Sequence, residues 1–204
     1  MGEGVFYWII SPEGFSGLKN FIRRIETMRK GVKMYVGGAL LSAIGFVLML
    51  FQVPLIPEAN FLLYDPGDVA VLLAGILYGP WIGFLSVVIK NILYFIFKGA
   101  GGPIGILMNT IATGSFVVVP SIILRYRKNL LVPALLGGVA AKTLIMIPAN
   151  LIFTPIYTGL PVAEVWRLVK VAVTPFNIAQ GTINMLLFLL IYGVLEKYLR
   201  RISG

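Results

Sequence analysis

IGILMNTIATGSFVVVPSIILRYRK, residues 104–128, is the stretch that decides what kind of protein this is. From Ile104 to Leu124 it carries no charge, and then Arg125, Arg127 and Lys128 arrive together. A helix rising 1.5 Å per residue needs about 20 such residues to cross a bilayer. The basic cluster at its end marks a cytoplasmic loop, where Lys and Arg accumulate. This one segment therefore predicts both a membrane span and its direction.

The rest of the chain repeats the pattern. Of 204 residues, 58% are hydrophobic and only 12% are charged, against about 25% charged in a soluble domain. Mean hydropathy is +0.93. Basic residues cluster again at Lys19 to Lys33 and at Lys197 to Arg201. The apolar stretches between clusters predict spans at about 34–53, 68–78, 81–97, 104–124, 131–153 and 175–196. The second is short and ends at Gly79-Pro80, which makes the turn to the third tight. Twelve of the 17 bases then fall on one side, while Lys98, Arg167 and Lys170 fall on the other and Lys90 and Lys142 within spans. The expected architecture is an all-α membrane protein of six transmembrane helices with both termini cytoplasmic.

Two regions follow from the charge pattern: an N-terminal segment, 1–33, and a six-helix domain, 34–204. In the first, KNFIRRIETMRKGVK (19–33) interleaves bases with Phe21, Ile22, Ile25 and Met28. That spacing predicts a basic amphipathic helix lying on an anionic membrane surface. The earlier patch Val5 to Ile10 is short and flanked by Glu3 and Glu13, which reads as an interfacial anchor or a disordered start rather than a cleavable signal. The net charge of +9 is accounted for by the lipid-facing loops, so no nucleic-acid partner is inferred.

The chain contains no Cys and no His. Thiol chemistry, disulfides and His general bases are therefore excluded, and no metal site is expected. No Ser/His, paired-Asp or metal constellation supports an intramembrane enzyme. The run GAGGPIG (99–105) is not followed by Gly-Lys-Ser/Thr, so it is no phosphate loop.

Polar side chains within spans mark function by default, because they are costly in lipid. Counting depth at about 1.5 Å per residue puts Asn109, Asn150, Asn177 and Gln180 in one layer of the outer leaflet. Asn177 and Gln180 are three apart and share a helix face. Amides offer donors and acceptors together, which suits a neutral, planar, heteroatom-rich ligand, although interhelical bridging is an equally open role. The outer loop, PLIPEANFLLYDPG (54–67), supplies Phe61, Leu63, Tyr64 and Asp65 as residues that close over such a pocket. Lys90, Asn91, Lys142 and Asn184 count to mid-bilayer. No acidic partner for either lysine is evident at that depth, which leaves snorkelling or carbonyl bonding. The segment 154–174 reads as a long outer loop holding a short amphipathic helix at 161–171, with the last span starting near Pro175. Ala39 and Ala43 in the first span form a small-xxx-small pattern suited to close helix approach.

Three segments carry a family resemblance: ALLSAIGFVLM (39–49), IPEANFLLYDPGDVAVLLAGILYGPWIGFLSVVIKNIL (56–93) and TPFNIAQGTINMLL (174–187). Together they resemble the substrate-binding (S) subunits of energy-coupling factor (ECF) vitamin transporters, the riboflavin-specific ones most closely. The resemblance implies a six-helix, multi-pass protein of a prokaryotic cell membrane that captures its vitamin at the outer face, without an enzyme activity or cofactor of its own. It implies as partners a membrane coupling subunit, which the face carrying Ala39 and Ala43 would contact, and two ATPases. It also implies flavin contacts for Asn150 and Asn177, with Gln180 standing where riboflavin binders carry Lys. Other readings kept open are an S subunit for another vitamin or flavin and a stand-alone secondary transporter; the latter would need an ion site.

Overall fold

The computed structural model describes residues 32–56, 62–99 and 102–203, with side chains through Val194. The amphipathic helix expected at 19–33 lies outside these residues, apart from its last two positions. The first long helix, α1, runs Val32–Met49. Two short strands, β1 (Val53–Pro54) and β2 (Leu63–Tyr64), then pair antiparallel with Val53 opposite Tyr64. This clip fastens the outer loop at its base. The helices α2 (Asp68–Tyr78), α3 (Pro80–Lys98), α4 (Gly102–Tyr126) and α5 (Leu131–Thr158) follow.

The end of the chain departs from the expected long loop. Helix α5 continues to Thr158, and α6 (Val162–Leu168) passes through a π-helical turn at Val169–Val173 straight into α7 (Thr174–Ser203). Pro175 therefore sits inside a continuous helical run rather than opening a new one. A π turn is the local device that absorbs a proline's missing N–H and its ring without breaking the helix. The non-helical connection shrinks to 159–161, where Gly159 takes φ +73° to cap α5.

Five helical segments are long and apolar enough to cross a membrane: α1, α3, α4, α5 and the run 162–194. Helix α2, with 11 residues, is shorter than a bilayer. It is accommodated because protein surrounds it: Val71, Leu72 and Ala74 are all fully buried. Gly79, at φ +99°, turns α2 back into α3, a backbone conformation that favours glycine. The two helices then touch at Gly75 and Gly83, where a Cβ added to Gly83 would lie 2.5 Å from Gly75 Cα.

The core joins Val71 and Leu72 to Val87, Phe116, Val117, Leu135 and Phe188. Around it the surface is apolar, with Leu40, Ile96, Phe97, Leu144 and Leu190 all exposed. An apolar exterior over helices whose backbone bonds are internally satisfied is what a lipid solvent requires. Pro120 and Pro148 lie within α4 and α5 without ending them.

Candidate functional site

A cavity of about 460 Å³ opens between the outer loop, α4, α5 and the α6–α7 run. Helix α4 supplies Asn109 and Thr113, α5 supplies Lys142, Met146 and Asn150, and α7 supplies Phe176, Asn177 and Gln180. Leu62 and Leu63 line it from the loop. The volume is in the range of small-molecule sites, and the mixture of apolar walls with a few convergent polar groups is their usual make-up.

Two asparagines in this lining are oriented by their own helices. Asn150 Nδ2 donates to the Met146 carbonyl at 2.7 Å, and Asn177 Nδ2 donates to the Val173 carbonyl at 2.8 Å. Their oxygens are thereby left as acceptors. Asn150 Oδ1 takes one bond from Thr154 Oγ1 at 3.1 Å. Gln180 is set the other way: its Oε1 accepts from Lys142 Nζ at 2.6 Å, which leaves Nε2 as a donor. The site thus offers acceptors from two asparagines and donors from Gln180 and Lys142.

Beneath the cavity lies a buried ionic cluster. Lys90 Nζ sits 2.6 Å from Asp65 Oδ2 and 2.6 Å from Asp68 Oδ1, and Lys142 Nζ sits 3.4 Å from Asp68 Oδ2. All four side chains are at most 1% exposed. Thr113 Oγ1 donates to Asp68 Oδ1 at 2.9 Å, and the Gly67 N–H donates to Asp65 Oδ1 at 2.8 Å. Two carboxylates thereby face two ammonium groups, the arrangement that makes buried charge tolerable. This corrects the expectation that Lys90 and Lys142 lack acidic partners. Depth counting treated Asp68 as lying at an outer surface, whereas the short α2 begins deep within the bundle.

The loop is tied into the same cluster. Tyr64 donates its hydroxyl to Asn184 Oδ1 at 2.9 Å, and Asn184 Nδ2 donates to the Asp65 carbonyl at 3.2 Å. Burial and the negative charges of Asp68 and Asp65 push the Tyr64 hydroxyl up to about 12, so it stays a donor at neutral pH. Burial also pushes the Asp65 carboxyl up, against the pull of Lys90.

The residues singled out from sequence are distributed as follows. Asn109, Asn150, Asn177, Gln180 and Leu63 all line the cavity. Tyr64 and Asp65 stand behind its lining, bonded to α7 and α3. Phe61 lies outside the described residues. Ala39 and Ala43 are on the exposed face of α1, whereas their neighbours Gly38 and Ser42 are buried. There Ser86 Oγ of α3 donates to the Gly38 carbonyl at 3.1 Å. Lys142, placed at mid-bilayer from sequence but given no role in the site, also lines the cavity, as do the unselected polar residues Gln52, Tyr94 and Thr113. The four-residue spacing of Lys142 from Met146 and its eight-residue spacing from Asn150 put all three on one face of α5, and that was the available signal for it.

Comparison with known proteins agrees with this architecture. The family described as "ECF transporter, substrate-specific component" matches residues 33–192. Riboflavin transporter FmnP of Bacillus subtilis (strain 168) is 33% identical over 182 residues, covering 83% of this chain and 95% of that protein. Riboflavin transporter RibU of Staphylococcus aureus (strain TCH60) is 30% identical over 174 residues, covering 80% and 90%. A solved structure described as "Structure and mechanism of the S component of a bacterial ECF transporter" superimposes with a TM-score of 0.67. It is 28% identical and covers 82% of this chain and 97% of that one. With the family matched across the whole bundle, from the start of α1 to the core of α7, the chain belongs to the substrate-specific components of ECF transporters.

Proposed function

We propose that this protein is the riboflavin-capturing subunit of an ECF transporter in a prokaryotic cell membrane. The observation that carries the reading is the amide-lined cavity, in a chain similar over four-fifths of its length to proteins named riboflavin transporters. The flavin ring ends in an imide, a ring N–H flanked by two carbonyls. Acceptors on Asn150 and Asn177 suit the N–H, and the Gln180 donor suits a carbonyl. Leu63, Met146, Phe153 and Phe176 suit the apolar ring faces. Asn109, with Leu62 and Leu63 of the outer loop, would help enclose the ring and the ribityl chain. The outer loop is the gate.

The subunit performs no chemistry in this reading. Uptake is driven by two ATPases acting through a membrane coupling subunit, which docks on the α1 face carrying Ala39 and Ala43. Helix α2, enclosed by its neighbours, completes six spans, with both chain termini cytoplasmic as the distribution of bases requires.

The test is an absorption spectrum of detergent-purified protein, followed by riboflavin titration read by intrinsic Trp fluorescence. A co-purified yellow chromophore or submicromolar quenching supports the reading. A flat titration, with the protein folded and riboflavin absent at the start, overturns it in favour of another vitamin.

A further inference from the structure

We propose that Lys142 contacts the ligand directly, as the cationic donor on the cavity floor, and that Gln180 and Asp68 hold it in place. The assignment rests on the riboflavin reading and adds a specificity residue to it. Lys142 reaches the cavity from α5 and is buried, 1% exposed. Its ammonium has three protons. One goes to Gln180 Oε1 at 2.6 Å and one toward Asp68 Oδ2 at 3.4 Å. The third has no oxygen acceptor among the described residues; the centroid of the buried Phe116 ring lies 5.7 Å from the ammonium, and the side chain forms part of the cavity wall.

Lys142 supplies the second positive charge that Asp65 and Asp68 need together, since Lys90, 2.6 Å from each, brings only one. Its ammonium nevertheless lies closer to Gln180 Oε1, at 2.6 Å, than to Asp68 Oδ2, at 3.4 Å. Charge balance accounts for the presence of the lysine, and the short bond to a cavity-lining amide accounts for its place at the cavity wall: the amide oxygen holds the ammonium there and leaves Nε2 as a donor. Two donors, one charged, then lie beside the asparagine acceptors. An imide with carbonyls on both sides of its N–H satisfies both kinds at once. A ligand that presents donors at those places leaves a buried ammonium facing donors, which is strongly disfavoured.

The test exchanges the two groups across the bond. Riboflavin affinity and thermal unfolding in detergent are measured for the unsubstituted protein, Lys142→Gln, and Lys142→Gln combined with Gln180→Lys. Loss of a hydrogen bond from a charged donor predicts affinity about 10- to 100-fold lower for Lys142→Gln. The exchanged variant returns the ammonium to the floor from α7 and is expected to recover most of that loss. Lumiflavin, which has the ring without the ribityl chain, is expected to lose the same factor in Lys142→Gln. Unchanged riboflavin affinity in a folded Lys142→Gln overturns the proposal while leaving the riboflavin reading intact. So does a loss seen for riboflavin but not lumiflavin, or a well-folded exchanged variant that recovers nothing. If Lys142→Gln fails to fold, the exchanged variant and the lumiflavin comparison on it decide the matter. An unsubstituted protein that binds no flavin overturns the riboflavin reading, and this assignment with it.

Discussion

Tyr64 in the outer loop donates its hydroxyl to Asn184 Oδ1 in the last helix, at 2.9 Å and across 120 positions of sequence. Asn184 returns a bond to the Asp65 carbonyl, so the loop and α7 hold each other at two adjacent points. The loop residue Leu63 lines the cavity one position away, and Leu62 beside it. Movement of Tyr64 and Asp65 away from α7 must therefore break these bonds. For a subunit whose ligand enters from outside, the pair is the natural latch.

Tyr64→Phe removes the latch while keeping the ring. Loss of one neutral hydrogen bond, about 0.5–1.5 kcal/mol, is expected to speed riboflavin release by roughly 2- to 10-fold. Stopped-flow dissociation measures it directly. Because the Tyr64 hydroxyl deprotonates only near 12, the difference between the two proteins should be constant from about pH 6 to 9. A difference that disappears within that interval would assign the effect to another group.

Asn177 presents its oxygen to the cavity because its nitrogen is engaged by the Val173 carbonyl. Asn177→Ala is expected to weaken riboflavin binding by about 1–3 kcal/mol, the cost of leaving a buried polar edge unpaired. Fluorescence titration gives the number. Equal affinity in the variant would remove Asn177 from the site.

Lys90 bridges two fully buried carboxylates. Removing one partner of a buried pair typically costs about 3–5 kcal/mol, because the other charge is left behind. Lys90→Met should accordingly lower the unfolding temperature sharply in detergent. Adding Asp65→Asn should return part of the loss, giving a large coupling in the double-mutant cycle. Additive effects would mean that the two side chains act independently.

Ala39 faces outward from α1, away from the cavity. Ala39→Trp should leave riboflavin affinity unchanged and prevent co-purification with the coupling subunit, since close helix approach requires small side chains. Normal assembly of this variant would relocate the interface.

Much of the site was legible because it follows from depth along individual helices. Asn109, Asn150, Asn177 and Gln180 were grouped by counting residues from the basic clusters, and they line one cavity. Helical rise is constant, so counting works wherever a helix runs surface to surface. It failed for Asp68, whose helix has 11 residues and begins inside the bundle. It failed again at Pro175, where a π turn carries the helix through a proline that otherwise signals a start.

By itself, then, the sequence determined the helical class and grouped the amides that line one cavity, since hydropathy and helical rise act residue by residue. The pairing of Lys90 with Asp65 and Asp68, of Lys142 with Asp68 and Gln180, and of Tyr64 with Asn184 was decided only by the tertiary structure. These partners are 22 to 120 residues apart. Which charge meets which depends on how far α2 sinks among its neighbours and how the loop folds over them. Those are outcomes of packing, and no local pattern encodes them.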